Sequence, residues 1–430
     1  MPSSFLTRIA PVIHWAAFIS LLIFTPLAQG GASRWAFCVS LWLVLLAFTS
    51  MVLRRLWQGK RLLPHSPLEI PLALLLLLAA ASWFMSVYRG ATSWAFLRLC
   101  LYGVSFYMAS EASASRIKTK RLLITLLSMG VLLSAIGFIK YTGGPTPFFW
   151  DYSAITEEGR LNSTFVNANH FAGYLEMILA LGVGFVLYRA TRKTVLWMFC
   201  LFFILVTLLF TMSRGAWIAS LGFFMFIGVL LLLKKGTSKV KICVTASALL
   251  LILGLFVLGS NSMTERLISI KDPQKSHLDY GRLPVWKASV LLIRKYPLQG
   301  TGLGTFPWSF TTVSPAGLHL RYREAHNDYI QILTEMGLPV LIPVIWGLYL
   351  IFRTGLRTFW KTESRFQSGV TLGALGGIVA ILIHSIWDFN IQITANGILF
   401  SVLVGLLMGS ATSKTIEPQF RKIHQVDLRN

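Results

Sequence analysis

Runs of apolar residues close to the roughly 20-residue length that crosses a bilayer follow one another along the whole chain. They fall at about 9–29, 33–53, 68–87, 91–110, 121–141, 166–188, 194–212, 214–233, 240–259, 327–352, 367–387 and 394–411. A chain of 430 residues that is 55% hydrophobic and 13% charged is no string of soluble domains. The expected architecture is an all-α polytopic membrane protein of about 12 transmembrane helices. Arg8 precedes the first run, but no small-residue cleavage site follows it, so that run reads as a retained span and not a signal peptide.

A net charge of +23 could point to nucleic acid, so its distribution decides. With an even number of spans and both ends inside, 24 of the 39 basic residues fall in every second connection. Arg54, Arg55, Lys60 and Arg61 fill one such segment, and Arg116, Lys118, Lys120 and Arg121 another. The short connections between them carry only Arg34, Arg89, Arg160 and Arg214. This is the positive-inside bias. It makes the charge a matter of topology and anionic lipid, with no nucleic acid partner and both termini cytoplasmic. Cys38, Cys100, Cys200 and Cys243 all lie in spans without paired spacing, which indicates neither a disulfide framework nor a zinc site.

Two outer segments break the monotony. One runs from Thr142 to Phe165 and contains Asp151, Glu157, Glu158 and Arg160; the other is a loop of about 66 residues, 260–325. Within the loop, Leu283 to Lys295 has helical apolar spacing with Pro284 near a first turn, and predicts an amphipathic helix along the outer interface. Gly300, Gly302 and Gly304 predict a turn-rich return to the membrane. A loop this long in a tight helical protein is usually functional. The chain divides into N-terminal spans (1–159), a catalytic region (160–411, including the periplasmic loop 260–325) and a cytoplasmic tail (412–430).

Chemistry has few places to live. Glu324-Ala325-His326-Asn327-Asp328 joins the long loop to an apolar run, so a histidine, an amide and a carboxylate meet where a wet loop enters a span. An uncharged histidine there is what a general base calls for, with Asn327 and Asp328 either orienting its ring or capping the helix. Arg160, Arg214 (before Gly215) and Arg282 (after Gly281) lie at outer membrane boundaries. A bare cation is costly there, and the planar guanidinium fork suits phosphate oxygens. Converging on one cavity, they would make a pyrophosphate site; taken singly, each could be an interfacial or structural arginine. His170 lies close to Arg160 in sequence and joins the candidates. For Arg98, Glu176, Asn167, Asn169 and Asp388 a structural role is favoured, with Arg98 and Glu176 able to pair with one another. No Asp-x-Asp, Walker-type loop or His-x-x-x-His pattern occurs, so the expected chemistry uses neither metal nor cofactor. No inverted repeat relates the halves, which weighs against a transporter.

Ser213-Arg214-Gly215, Gly281-Arg282 with Trp286, and the His326-Asn327 to Glu335-x-Gly337 stretch together resemble the O-antigen ligase family, over about residues 160–405. The same conserved region is shared by O-antigen polymerases and bacterial O-oligosaccharyltransferases. The resemblance implies a glycosyltransferase in a bacterial inner membrane, its active site facing the periplasm. The donor would be an undecaprenyl-pyrophosphate-linked glycan and the acceptor lipid A–core oligosaccharide. By the same resemblance His326 is the general base, Arg214 and Arg282 hold the leaving pyrophosphate, and Arg160 assists. A single displacement would invert the anomeric centre. The alternatives are a polymerase, a protein O-oligosaccharyltransferase and, from another class, a lipid-linked glycan transporter.

Overall fold

The computed structural model describes residues 9–144, 159–188, 193–234, 279–314 and 322–412, and among these the chain is all helix and loop, without a strand. In order come α1 (Ala10–Leu27), α2 (Arg34–Trp57), α3 (Glu69–Ser82), α4 (Arg89–Ser113), α5 (Arg116–Tyr141), α6 (Ala168–Leu187), α7 (Thr194–Phe210) and α8 (Arg214–Leu233). The later helices are α9 (Asp279–Lys295), α10 (Asp328–Met336), α11 (Leu341–Lys361), α12 (Arg365–His384) and α13 (Thr394–Thr412). Side-chain oxygens of Ser115, Asn167, Ser213, Asn327 and Ser364 cap the first turns of α5, α6, α8, α10 and α12.

Eight helices are long and apolar enough to cross a membrane: α1, α2, α5, α6, α8, α11 with its leading turn, α12 and α13. Eight is the number that length and composition carry among the described residues. Helices α3 and α7 are apolar but shorter, and α4 carries Arg89, Arg98 and Glu111 along its length. The expected span at 240–259 lies outside the described residues. So do 260–278 and 315–321 of the long loop, Asp151, Glu157 and Glu158, and the tail beyond 412.

One expected span is divided. The run 327–352 breaks at Gly337 (φ 70°, ψ −176°) into α10 and α11. That backbone region is open only to glycine, and a Cβ there would stand 2.7 Å from the Leu298 carbonyl oxygen. The physical cause lies in α10 itself, which buries Asp328, Gln331, Thr334 and Glu335 in polar contacts. It docks; it does not cross.

Helices α6 and α13 are buried along most of their length, whereas α11 is largely exposed, as a lipid-facing helix would be. Without a hydrophobic drive between helices in lipid, close approach through small residues does the work. A Cβ on Gly184 of α6 would lie 2.4 Å from the Gly369 oxygen of α12, and one on Gly405 of α13 would lie 2.4 Å from the Phe106 oxygen of α4.

The alternate connections gather at opposite ends. At one end Thr164 Oγ1 donates to the Pro26 oxygen (2.7 Å), Leu161 N to the Phe210 oxygen (3.0 Å) and Thr394 Oγ1 to the Gly31 oxygen (3.0 Å). The long loop joins this end, where Val87 N donates to the Thr301 oxygen (3.0 Å). At the other end Arg54 pairs with Glu111, and Lys234 Nζ donates to the Phe359 oxygen (2.7 Å). The helix expected in the long loop is present as α9. Its Val285 and Ala288 form a small core with Phe306, Phe310 and Ala325, and Trp286 Nε1 donates to the Ala325 oxygen (2.9 Å). Glycines 300, 302 and 304 all take positive φ, as the expected turns require.

Candidate functional site

The run into α10 shapes the site. His326, one residue before the cap, has φ 51°, a left-handed conformation that a side-chain-bearing residue rarely adopts. Asn327 then caps α10: its Oδ1 accepts from Ile330 N (2.9 Å) while its Nδ2 donates to the Ile386 oxygen (2.9 Å). Asp328 bonds the same strip of chain. Its N donates to the Ser385 oxygen (3.0 Å), and its Oδ2 accepts from Ser385 Oγ (2.7 Å) and Ile391 N (3.1 Å). Both residues are thus committed to docking α10 on the 385–391 segment, and neither orients the histidine ring.

Asp388 does that. His326 Nδ1 lies 3.4 Å from Asp388 Oδ1, and His170 Nε2 lies 3.6 Å from the same oxygen. Asn169 Nδ2 donates to Asp388 Oδ2 (2.8 Å), and Asn169 Oδ1 accepts from the Arg160 guanidinium, whose Nε donates to the Thr211 oxygen (3.0 Å). Phe389 sets its ring edgewise against both histidines, with centroids 4.5 Å from His170 and 5.0 Å from His326. Asp388 is almost fully buried, while the His326 side chain keeps 32% of its surface exposed. A relay therefore runs from Arg160 through Asn169 and Asp388 to a histidine that faces out.

Burial alone would raise the Asp388 carboxyl, but its contacts with His170 and His326 outweigh that and hold it well below the usual carboxylate range. An ionised Asp388 accepts a hydrogen bond from the Nδ1–H tautomer of a neutral His326 ring, which leaves the lone pair on Nε2. Asp328 behaves oppositely. Burial pushes it up to about 7, against the pull of Ser385 and Ile391 and with the neighbouring Asp388 and Glu324 charges adding to the rise. Two carboxyls on neighbouring segments are thus driven to different states by their surroundings.

The two other arginines lie on α8 and α9. Arg214 opens α8, and the neighbouring Gly215 packs so closely on α12 that a Cβ would stand 2.8 Å from His384 Cδ2. Arg282 on α9 lies close enough for its charge to act on the same His384 ring. Arg160 (through Asn169), His170 and His326 therefore meet at Asp388, while the Arg282 charge reaches His384 at the end of α12 and Arg214 adjoins the glycine packed on that ring.

Beneath α10, Gln331 Nε2 bonds both Glu324 and Glu335, and Glu335 accepts from Gly304 N (2.6 Å) and Phe306 N (3.2 Å). This cluster clamps the glycine-rich turns to α10. Burial, with the Glu324 charge behind it, pushes Glu335 up to about 8 despite those donors. On the other face of α10 an apolar cavity of about 300 Å³ extends between α3, α4, α11 and α13, with Asp328, Tyr329 and Ser385 at its polar end. Among the described residues no group of three His, Cys, Asp or Glu side chains is placed to hold a metal ion.

Asp388 and Asn169, given structural roles from sequence, stand at the hub. The available signal was the cluster His384-Ser385-x-x-Asp388-x-Asn390 closing an apolar span, since ionisable groups at such depth are rare without a purpose. The expected alternative of an Arg98–Glu176 pair is not formed. Arg98 donates to the Gln392 oxygen (2.6 Å), and Glu176 meets His384 (3.1 Å). Asn167 has a structural role, as the cap of α6.

No curated protein matches the chain. Residues 199–345, which include Arg214, Arg282, His326 and α10, match the family model described as O-antigen ligase. The matched segment contains Arg214, Arg282 and His326 of the candidate residues.

Proposed function

We propose that the chain is an O-antigen ligase, transferring a polysaccharide from undecaprenyl pyrophosphate to a hydroxyl of lipid A–core oligosaccharide at the periplasmic face of a bacterial inner membrane. The observation that carries this reading is the part-exposed His326 held through Nδ1 by buried Asp388, with Arg160 tied to Asp388 through Asn169 and the Arg282 charge acting on nearby His384. His326 Nε2 takes the proton of the acceptor hydroxyl as its oxygen attacks the anomeric carbon. The bond from that carbon to the phosphate oxygen breaks, and its electron pair leaves with the pyrophosphate. Arg214 and Arg282 take up the departing charge, Arg160 adds to the field through Asn169, and His170 braces Asp388. Cations fixed in a partly dry cleft stabilise such a leaving group strongly. One displacement inverts the anomeric centre. The apolar cavity beside α10 suits the hydrocarbon of a lipid substrate.

The test is transfer by purified protein offered undecaprenyl-pyrophosphate glycan with lipid A–core or with a second lipid-linked glycan. Transfer to lipid A–core that falls about a hundredfold or more in His326→Ala, while donor binding persists, supports a ligase with His326 as base. Chain extension instead identifies a polymerase on the same centre. Bound donor with no transfer to either acceptor shifts the reading to a protein acceptor or a transporter. Activity is expected to survive exhaustive chelation, and an absolute requirement for added Mg²⁺ or Mn²⁺ would overturn the metal-free mechanism.

A further inference from the structure

Two buried ionisable groups have no part in that mechanism. Glu176, in the third turn of α6, is fully buried, and His384, the last residue of α12, is 1% exposed. His384 Nδ1 lies 3.1 Å from Glu176 Oε2 and 3.2 Å from Oε1, so the ring meets both carboxylate oxygens through one nitrogen. A pair of this kind is a poor way to gain stability, because desolvating the two groups offsets most of their attraction. Its position suggests another use. The opposite edge of the ring abuts the first turn of α8, where a Cβ on Gly215 would stand 2.9 Å from His384 Nε2, beside Arg214. Arg282 acts on the same ring.

The sharing of a proton with Glu176 bears on what that edge presents. A fully buried pair must be close to electrically neutral. With the proton shared along the Nδ1–carboxylate contact, neutrality allows two arrangements: imidazolium with carboxylate, or neutral imidazole with a protonated carboxyl donating to Nδ1. In both, Nε2 carries a hydrogen. Glu176 therefore fixes His384 as an Nε2–H donor whichever side of the pair holds the shared proton. Among the described residues the side-chain hydrogen bonds given for His384 both run from Nδ1 to Glu176. The contrast with His326 is chemical: there an ionised aspartate leaves Nε2 as an acceptor, and here a buried glutamate leaves it as a donor.

We propose that His384 Nε2–H is a third hydrogen-bond donor of the phosphate-binding side, beside Arg214 and Arg282, reserved for an oxygen of the pyrophosphate group and held in that state by Glu176. This deepens the proposed function and rests on it. The absence of a side chain at Gly215 is then part of the site, since a methyl group there would cover Nε2.

The experiment measures binding of farnesyl pyrophosphate to the full chain in detergent by isothermal titration calorimetry, with melting temperature followed in parallel. In the double variant His384→Phe/Glu176→Leu the buried pair is replaced by apolar groups, an exchange that often preserves or raises stability. Affinity should fall about tenfold or more, the worth of a hydrogen bond to a charged group, with melting little changed. Gly215→Ala, which keeps both members of the pair, should weaken binding in the same direction. Farnesol, which lacks the phosphates, should bind all variants alike. A folded double variant that binds farnesyl pyrophosphate as tightly as the native chain overturns the inference; if that variant does not fold, unchanged affinity in Gly215→Ala overturns it. Arg282→Ala separates this outcome from failure of the parent reading. If the native chain does not bind farnesyl pyrophosphate at all, the proposed function falls and takes this inference with it. If Arg282→Ala loses binding and the His384 and Gly215 variants do not, only this inference falls.

Discussion

Asp388 gathers more of the site than any other single residue, and its chemistry sets a clear expectation. Its carboxyl is held well below 3.8, so its contribution to the fold is complete above that value and is lost as pH falls through and below it. Asp388→Asn should therefore lower the melting temperature at pH 7, and the gap from the native chain should narrow below about pH 4. The same variant should lose transfer about tenfold or more at pH 7, because the histidine loses the group that fixes its tautomer. A variant equally destabilised at pH 3 and pH 7 would contradict the depressed carboxyl. Arg214→Lys and Arg282→Lys should each restore only part of what the alanine variants lose in farnesyl pyrophosphate affinity, since lysine supplies the charge without the fork. Full affinity in both lysine variants would argue for simple point-charge attraction. His326 and the arginines were legible in the sequence because charged and polar groups are conspicuous at the edges of apolar runs. Asp388 and Asn169 were not, because their importance comes from contacts that span 62 and 219 positions of the chain.

At the scale of elements, the division of the run 327–352 is the feature hydropathy could not show. The apolar side chains of Ile330, Ile332 and Leu333 lead past Gly337 into those of α11. Averaging over a window then hides the polar face of α10 that carries Asp328, Gln331, Thr334 and Glu335. The glycine-rich turns were legible, since three glycines in five residues have few other uses, but their clamp on Glu335 was not. Gly337→Ala tests the division. The alanine would enter a backbone region nearly closed to it and meet the Leu298 oxygen, at a cost of about 2–3 kcal/mol. Transfer and melting temperature should both fall, while α11 keeps its protection in hydrogen exchange and α10 loses it. Unchanged exchange in α10 would show that the break does not depend on glycine.

For the whole molecule, repeated apolar runs and alternating basic connections made the helical class and its two unlike ends readable in advance. Which helices touch was not, because nearly every run is apolar on all sides and offers no preferred face. The choice was made by small residues, at Gly184 against Gly369 and at Gly405 against α4. Gly184→Leu should drive α6 from α12 and separate Asn169 from Asp388, abolishing transfer together with a large fall in melting temperature. Loss of transfer at an unchanged melting temperature would mean that this contact does not hold the bundle.

The left-handed backbone at His326 bears on how any knockout at this position is interpreted. An alanine placed at φ 51° removes the imidazole and also strains the turn that feeds α10, so its loss of activity mixes two causes. Asparagine tolerates that conformation far better and carries no basic nitrogen. His326→Asn is thus the informative deletion of the base, and the difference between the asparagine and alanine variants measures how much the turn itself contributes to turnover.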